Sequence, residues 1–124
     1  MTRVLVAMTL GVGLLLASTS LLAHHGANLY DTSKPLELKG TITKFEWGNP
    51  HNQIFFDVTD DKGTVQHWVA STEPPLVMME RGWTRKAINT GDKVTVFIFA
   101  ARNGATVGNL QRIVLPNGKE LTAR

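Results

Sequence analysis

Residues 36 to 47, LELKGTITKFEW, constrain the fold more than any other stretch, because their apolar side chains change phase in mid-run. Leu36, Leu38 and Ile42 share one parity, and Phe45 and Trp47 take the other. Successive side chains of a strand point to opposite faces. A strand carrying both phases therefore needs a bulge or sharp bend between Ile42 and Phe45, and Gly40 permits close coiling beside it. A long, bent first strand is a device for serving two sides of a barrel.

The following segments extend that reading. GNPHN, 48–52, ends the strand: Pro50 has no N–H for a ladder, and Asn49 before it is pushed toward extended backbone. QIFFDVTD reads as a second strand, DDKG (60–63) as a turn and TVQHWVAS (64–71) as a third strand. A turn centred on Asp61 and Lys62 sets Phe56 opposite His67 and Phe55 opposite Trp68. The core face then holds Ile54, Phe56, Val58, Val65, His67 and Val69, with His67 its only polar member. STEPPLVMMERGW, 71–83, changes period. Ser71 or Thr72 can cap, Pro74 and Pro75 suit a first turn, and Gly82 suits the exit. A short helix over Pro75–Arg81 follows, with Leu76 and Met79 facing inward.

NTGDKVTVFIFAA supplies a turn and a fourth strand with Val94, Val96 and Ile98 on one face. NLQRIVL is a fifth strand, and PNGK turns into a short tail. The order β-β-β-α-β-β points to an all-β fold, a five-stranded OB-like barrel with one short helix. An immunoglobulin-like sandwich wants more strands and no mid-chain helix. OB barrels usually meet their ligands at the loops joining strands one to two and four to five, here 48–52 and 102–108.

The chain has 124 residues, room for one domain. Its first 23 have the grammar of a signal peptide: Arg3, an apolar run over Val4–Ala17, then small and apolar residues up to Ala23. Cleavage after Ala23 is preferred here, although Leu21 is large for the slot two before the cut; cleavage after Ser20 would put Ser18 and Ser20 in both small slots. The rival is an uncleaved anchor, since Val4–Ala23 can span a bilayer, but no basic cluster follows to stop transfer. Residues 24–35 read as a flexible N-terminal arm, and 36–124 as the barrel domain. The expected location is the periplasm or the exterior, with membrane contact only through the signal segment before cleavage. The chain has no cysteine, so the domain must rest on its core without disulfides. Once Arg3 leaves with the signal, 12 basic residues face 10 acidic ones. That surplus makes no phosphate-tracking groove, so nucleic acid is not expected as a partner.

The stretches GTITKFEWGNPH, GWTRKAINTGDKVTV and ARNGATVGNLQRIVLPNGKEL resemble a domain-of-unknown-function family of small exported bacterial proteins, DUF6152-like, with the signature GT[VI]xxFxWxNPH. The resemblance covers essentially the whole chain after residue 23. Trp47, Asn49, Pro50 and His51 are its most specific part, and Gly82, Trp83, Thr84 and Arg85 come next. Members similarly begin with two histidines after the signal. It implies an OB-like barrel and no established activity. Gly48 departs from the Thr or similar residue expected there, which affects loop stiffness more than chemistry.

The histidines carry what chemistry the chain suggests. Cleavage after Ala23 would give His24 a free amine beside its imidazole, a chelating pair that His25 or a distant histidine can complete. Nitrogen-rich sets of this kind suit copper before zinc. The plain alternative is a polar arm with two solvated histidines. His51 follows Pro50 in the 48–52 loop and is the third candidate ligand; its plain alternative is a hydrogen bond to loop backbone. His67 lies too far along the hairpin to share an ion with His51 and reads as a satisfied core histidine. A second class of function is a metal-free protein-interaction module of the envelope, docking through Trp47, Asn49, Pro50, Arg102 and Asn103. Trp47, Trp68 and Trp83 could form an aromatic platform, but more often such residues anchor a core. Arg85 is expected to stack on an indole or to pair with Glu80 or Asp92. No nucleophile context is visible, and the alternation turns Asp57 away from His67, so no enzyme is expected. A copper oxygenase would need a substrate surface that the sequence does not display.

Overall fold

The computed structural model describes residues 29–124. The chain runs through β1 (Leu36–Glu46), β2 (Gln53–Thr59), β3 (Val65–Ser71), α1 (Pro75–Glu80), β4 (Lys93–Ala100), β5 (Val107–Val114) and β6 (Glu120–Thr122). β1 pairs antiparallel with both β2 and β4, β2 with β3, and β4 with β5. β3 and β5 pair in parallel, with Val69 facing Val107, and so close a five-stranded barrel with one short helix. β4 occupies one edge of β5, so β6 adds to the edge that β3 starts, further along the strand, with Leu121 opposite Ile113. The expected tail is thus a strand, whose three residues are too few for an alternation to register.

β1 does what its phase switch requires. Leu36–Thr41 pairs with β4, and Thr41–Glu46 pairs with β2. The register against β2 slips between Ile42 and Lys44, leaving Thr43 as the extra residue of a bulge. After the bulge the opposite parity points inward, so Ile42 is buried and Phe45 packs against the same core. Gly40 lies just before the bulge. A Cβ there would stand 2.6 Å from the Asp57 carbonyl oxygen and 3.0 Å from the Phe56 ring, so only glycine lets the two strands coil this closely.

The core joins Ile42, Ile54, Phe56, Ala70, Val94, Val96, Ile98, Leu110 and Ile113 from the barrel with Met78 and Trp83 from the helical segment. The face of β4 is as expected. The β2–β3 hairpin is not. Its loop holds five residues, Asp60–Thr64, between the paired Thr59 and Val65. The Asp60 carboxylate accepts the N–H groups of Lys62 and Thr64, and Gly63 takes a positive φ of 80°. The turn is therefore one residue longer than a centre on Asp61 and Lys62 allows, and a one-residue slip moves every side chain of β3 to the other face. Phe56 faces Trp68, and Asp57 faces His67. Trp68 is buried and stacks on Phe56 with ring centroids 6.5 Å apart. Val65 and His67 are exposed and Val69 is half-buried, so none of the three is a buried core residue.

The helix is corrected in the same way. It ends at Glu80, and its inward side chain is Met78, fully buried, whereas Leu76 and Met79 are 72% and 58% exposed. Six residues make less than two turns, so one side chain reaches the core. Trp83, 1% exposed, fills the space behind it and donates from Nε1 to the Thr122 carbonyl at 2.8 Å, tying the helical segment to β6.

Gly40→Ala should lower stability by about 1–3 kcal/mol, since the added methyl overpacks against backbone that cannot yield. Gly48→Ala, with open space at its Cβ, should stay within about 0.5 kcal/mol of the wild type. Urea unfolding of the two variants checks the contrast.

Candidate functional site

The loop joining β1 to β2, Trp47–Asn52, is held from below by a residue the sequence reading passed over. Asn52 is fully buried. Its side-chain oxygen accepts the Gly48 N–H at 3.1 Å, and its amide nitrogen donates to the Glu73 carbonyl at 3.4 Å. Its own carbonyl accepts the Thr72 N–H at 3.0 Å. His51 Nδ1 stands 3.0 Å from the Thr72 carbonyl oxygen. A carbonyl can only accept, so Nδ1 carries the proton and donates. These bonds fasten the loop to the segment leading from β3 into α1. The Asn49–Pro50 peptide is cis.

This geometry sets the chemistry of His51. With its proton on Nδ1, the neutral ring keeps an unprotonated Nε2, the lone pair a metal or a donor would use. The residue is exposed and lines a depression of about 240 Å³ with Glu46, Trp47, Asn49, Pro50 and Gln53. The backbone role considered for His51 is thus present, and it aligns the ring rather than excluding a further contact. Among the described residues no three His, Asp or Glu side chains gather closely enough to hold a metal ion. His24 and His25, the other candidate ligands, lie outside the described residues.

The remaining candidates fall elsewhere. Asn49 and Pro50 are exposed on the same loop. Arg102 and Asn103 are exposed on the β4–β5 loop, where they line a different depression with Leu29, Tyr30 and Val107; the two depressions share no lining residue. Arg102 donates from its backbone to the Leu29 carbonyl and from Nε to the Tyr30 carbonyl. Tyr30 bridges to Ala101, so the last part of the 24–35 arm is pinned at this loop. Nearby, the hydroxyl and backbone N–H of Ser33 hold the Asp31 carboxyl below the ordinary carboxylate range.

The three tryptophans do not form one platform. Phe45 lies between Trp47 and Trp83, at 5.9 and 6.3 Å, while Trp68 stacks on Phe56. Arg85 lines a depression with Trp47 and Trp83, and no ion pair to Glu80 or Asp92 forms among the described residues.

The second histidine is a correction. Asp57 is not turned away from His67. They are cross-strand partners, and His67 Nδ1 donates to the Asp57 carboxylate at 2.6 Å on the outer face. The ring is thereby oriented, yet no hydrogen bond reaches its Nε2 among the described residues.

A family model described as a family of unknown function, DUF6152, matches residues 12–111. The chain belongs to this family. No curated protein and no solved structure matches it. Membership therefore brings no assigned chemistry, and the geometry of the loop carries the functional argument.

Replacing Asn52 by alanine should cost about 1–3 kcal/mol, because the Gly48 N–H loses its partner and the half-buried Glu73 carbonyl keeps only the Thr72 hydroxyl. Thermal unfolding should show it as a fall of about 4–8 °C per kcal/mol.

Proposed function

We propose that this protein is a small binding module working outside the cytoplasm, with a transition-metal ion, copper before zinc, as its ligand. His24 would contribute its free amine and imidazole after removal of residues 1–23, with His25 and His51 completing the set. The observation that carries this reading is the locked His51 ring: its Nδ1–H is occupied by the Thr72 carbonyl, which leaves Nε2 as a ready ligand on an exposed loop. A backbone-bonded imidazole of this kind loses little freedom when a metal arrives. Nitrogen donors of amine and imidazole type favour copper(II).

A second reading makes the domain a metal-free docking module of the cell envelope. It is favoured by the exposure of Asn49, Pro50, Arg102 and Asn103 on two loops, with Trp47 as a half-buried wall beside the first pair. Partner capture from envelope extract that is indifferent to chelator would support it over the metal reading.

Copper(II) titration of the chain beginning at His24 tests the first reading. Acetylating the His24 amine, or replacing His51 by alanine, should each weaken binding by at least about tenfold, the lower end of what even a partner of a metal ligand costs. Equal affinity with and without the acetyl group would remove the terminal-amine arrangement. Intact mass of the exported protein should correspond to a chain starting at His24.

A further inference from the structure

We propose that the outer face of α1, formed by Leu76 and Met79 with Trp47, Arg85 and Lys86 beside it, docks the domain on a negatively charged lipid surface. Leu76 and Met79 lie three residues apart, which places them on one side of a helix. They are 72% and 58% exposed, and the core is complete without them. Met79 also walls a mainly apolar depression of about 470 Å³ together with Trp47, Trp83, Thr84, Arg85 and Lys86. Apolar side chains and tryptophan are thus set beside cations, the pattern by which a protein lies on a membrane without crossing it.

The charges decide the partner. Arg85 and Lys86 are exposed, and neither side chain has an ion pair or hydrogen bond among the described residues. Arg81 is occupied by the Ala123 carbonyl. Of the acidic residues around the face, Glu46 pairs with Lys44 and Glu73 with Arg124, leaving Glu80 as the uncompensated one. Two unpaired cations against one acid favour an anionic partner. Leu76 does not line the depression and is left to solvent, an apolar side chain that a lipid layer would cover. A lipid headgroup layer meets both requirements. This inference is independent of the metal reading, since it uses neither His24, His25 nor His51.

The test uses the chain from residue 24, whose whole core is drawn from residues 38–123 and so folds as a unit. It is sedimented with vesicles of phosphatidylglycerol and phosphatidylcholine in equal parts, and with vesicles of phosphatidylcholine alone. Binding should be at least tenfold tighter to the anionic vesicles, each cation near such a surface being worth about a fivefold factor. The double variant Leu76→Asp/Met79→Asp should keep the wild-type melting temperature and lose at least tenfold in vesicle binding. Arg85→Gln/Lys86→Gln should lose the preference for the anionic vesicles. Absence of wild-type binding to either vesicle overturns the proposal, as does unchanged binding by the aspartate variant. A protein retained on this face while vesicles are ignored overturns it too, and assigns the face to that protein.

Discussion

The parallel pairing of β3 with β5 is the contact on which the rest of this structure depends. Without it the strands would form an open sheet with two bare edges, an arrangement prone to pairing with other chains. Val69 donates to the Thr106 carbonyl at 3.1 Å at the start of the seam. Gly108, opposite Ala70 in the seam, is required by the strand on its other side: a Cβ there would stand 2.7 Å from the Phe99 carbonyl oxygen of β4 and within contact of Ile98. The β2–β3 register decides where β3 ends. Ser71 emerges beside Gln53, so Thr72 and Glu73 come out against Asn52 and His51. The fastened loop is thus a consequence of the hairpin register rather than a separate motif.

Most of that barrel was legible in the residues. The parity switch of β1, the bulge after Ile42 and the inward face of β4 all follow from apolar spacing and appear where that spacing places them. The β2–β3 register was not legible, because it turns on one residue of loop length. Both a four- and a five-residue turn fit the stretch DDKGT, and only the side-chain bonds of Asp60 choose between them. The error carried Trp68 out of the core and His67 into it. The helix failed for another reason: over six residues, any of several faces can be turned inward, and packing on Trp83 selects Met78. β6 is too short to announce itself.

The candidate site was legible in part. His51 was singled out, but Asn52, which holds its loop, was passed over although Asn52, Ile54 and Phe56 share one parity and so point to one face. A polar residue at an inward position beside a Pro-bearing loop is the signal that could have found it. The Asp57–His67 pair was hidden by the register error alone. What the family contributes is membership without a function, so the proposed metal ligands and the proposed lipid-facing helix stand on chemistry alone. The two proposals lie on either side of Trp47, which walls both the His51 depression and the apolar one beside α1. One small domain could therefore serve a ligand at its loop while resting on a surface through its helix.

The central claim is that the segment leaving β3 holds the His51 ring by its Nδ1 and leaves Nε2 free. Nitrogen-15 NMR of the imidazole, recorded where His51 is neutral, tests it directly. The account predicts the Nδ1–H tautomer for His51, with Nε2 giving the signal of an unprotonated nitrogen. A proton found on Nε2 instead would contradict it, since the Thr72 carbonyl would then have no donor and the loop would be held in some other way.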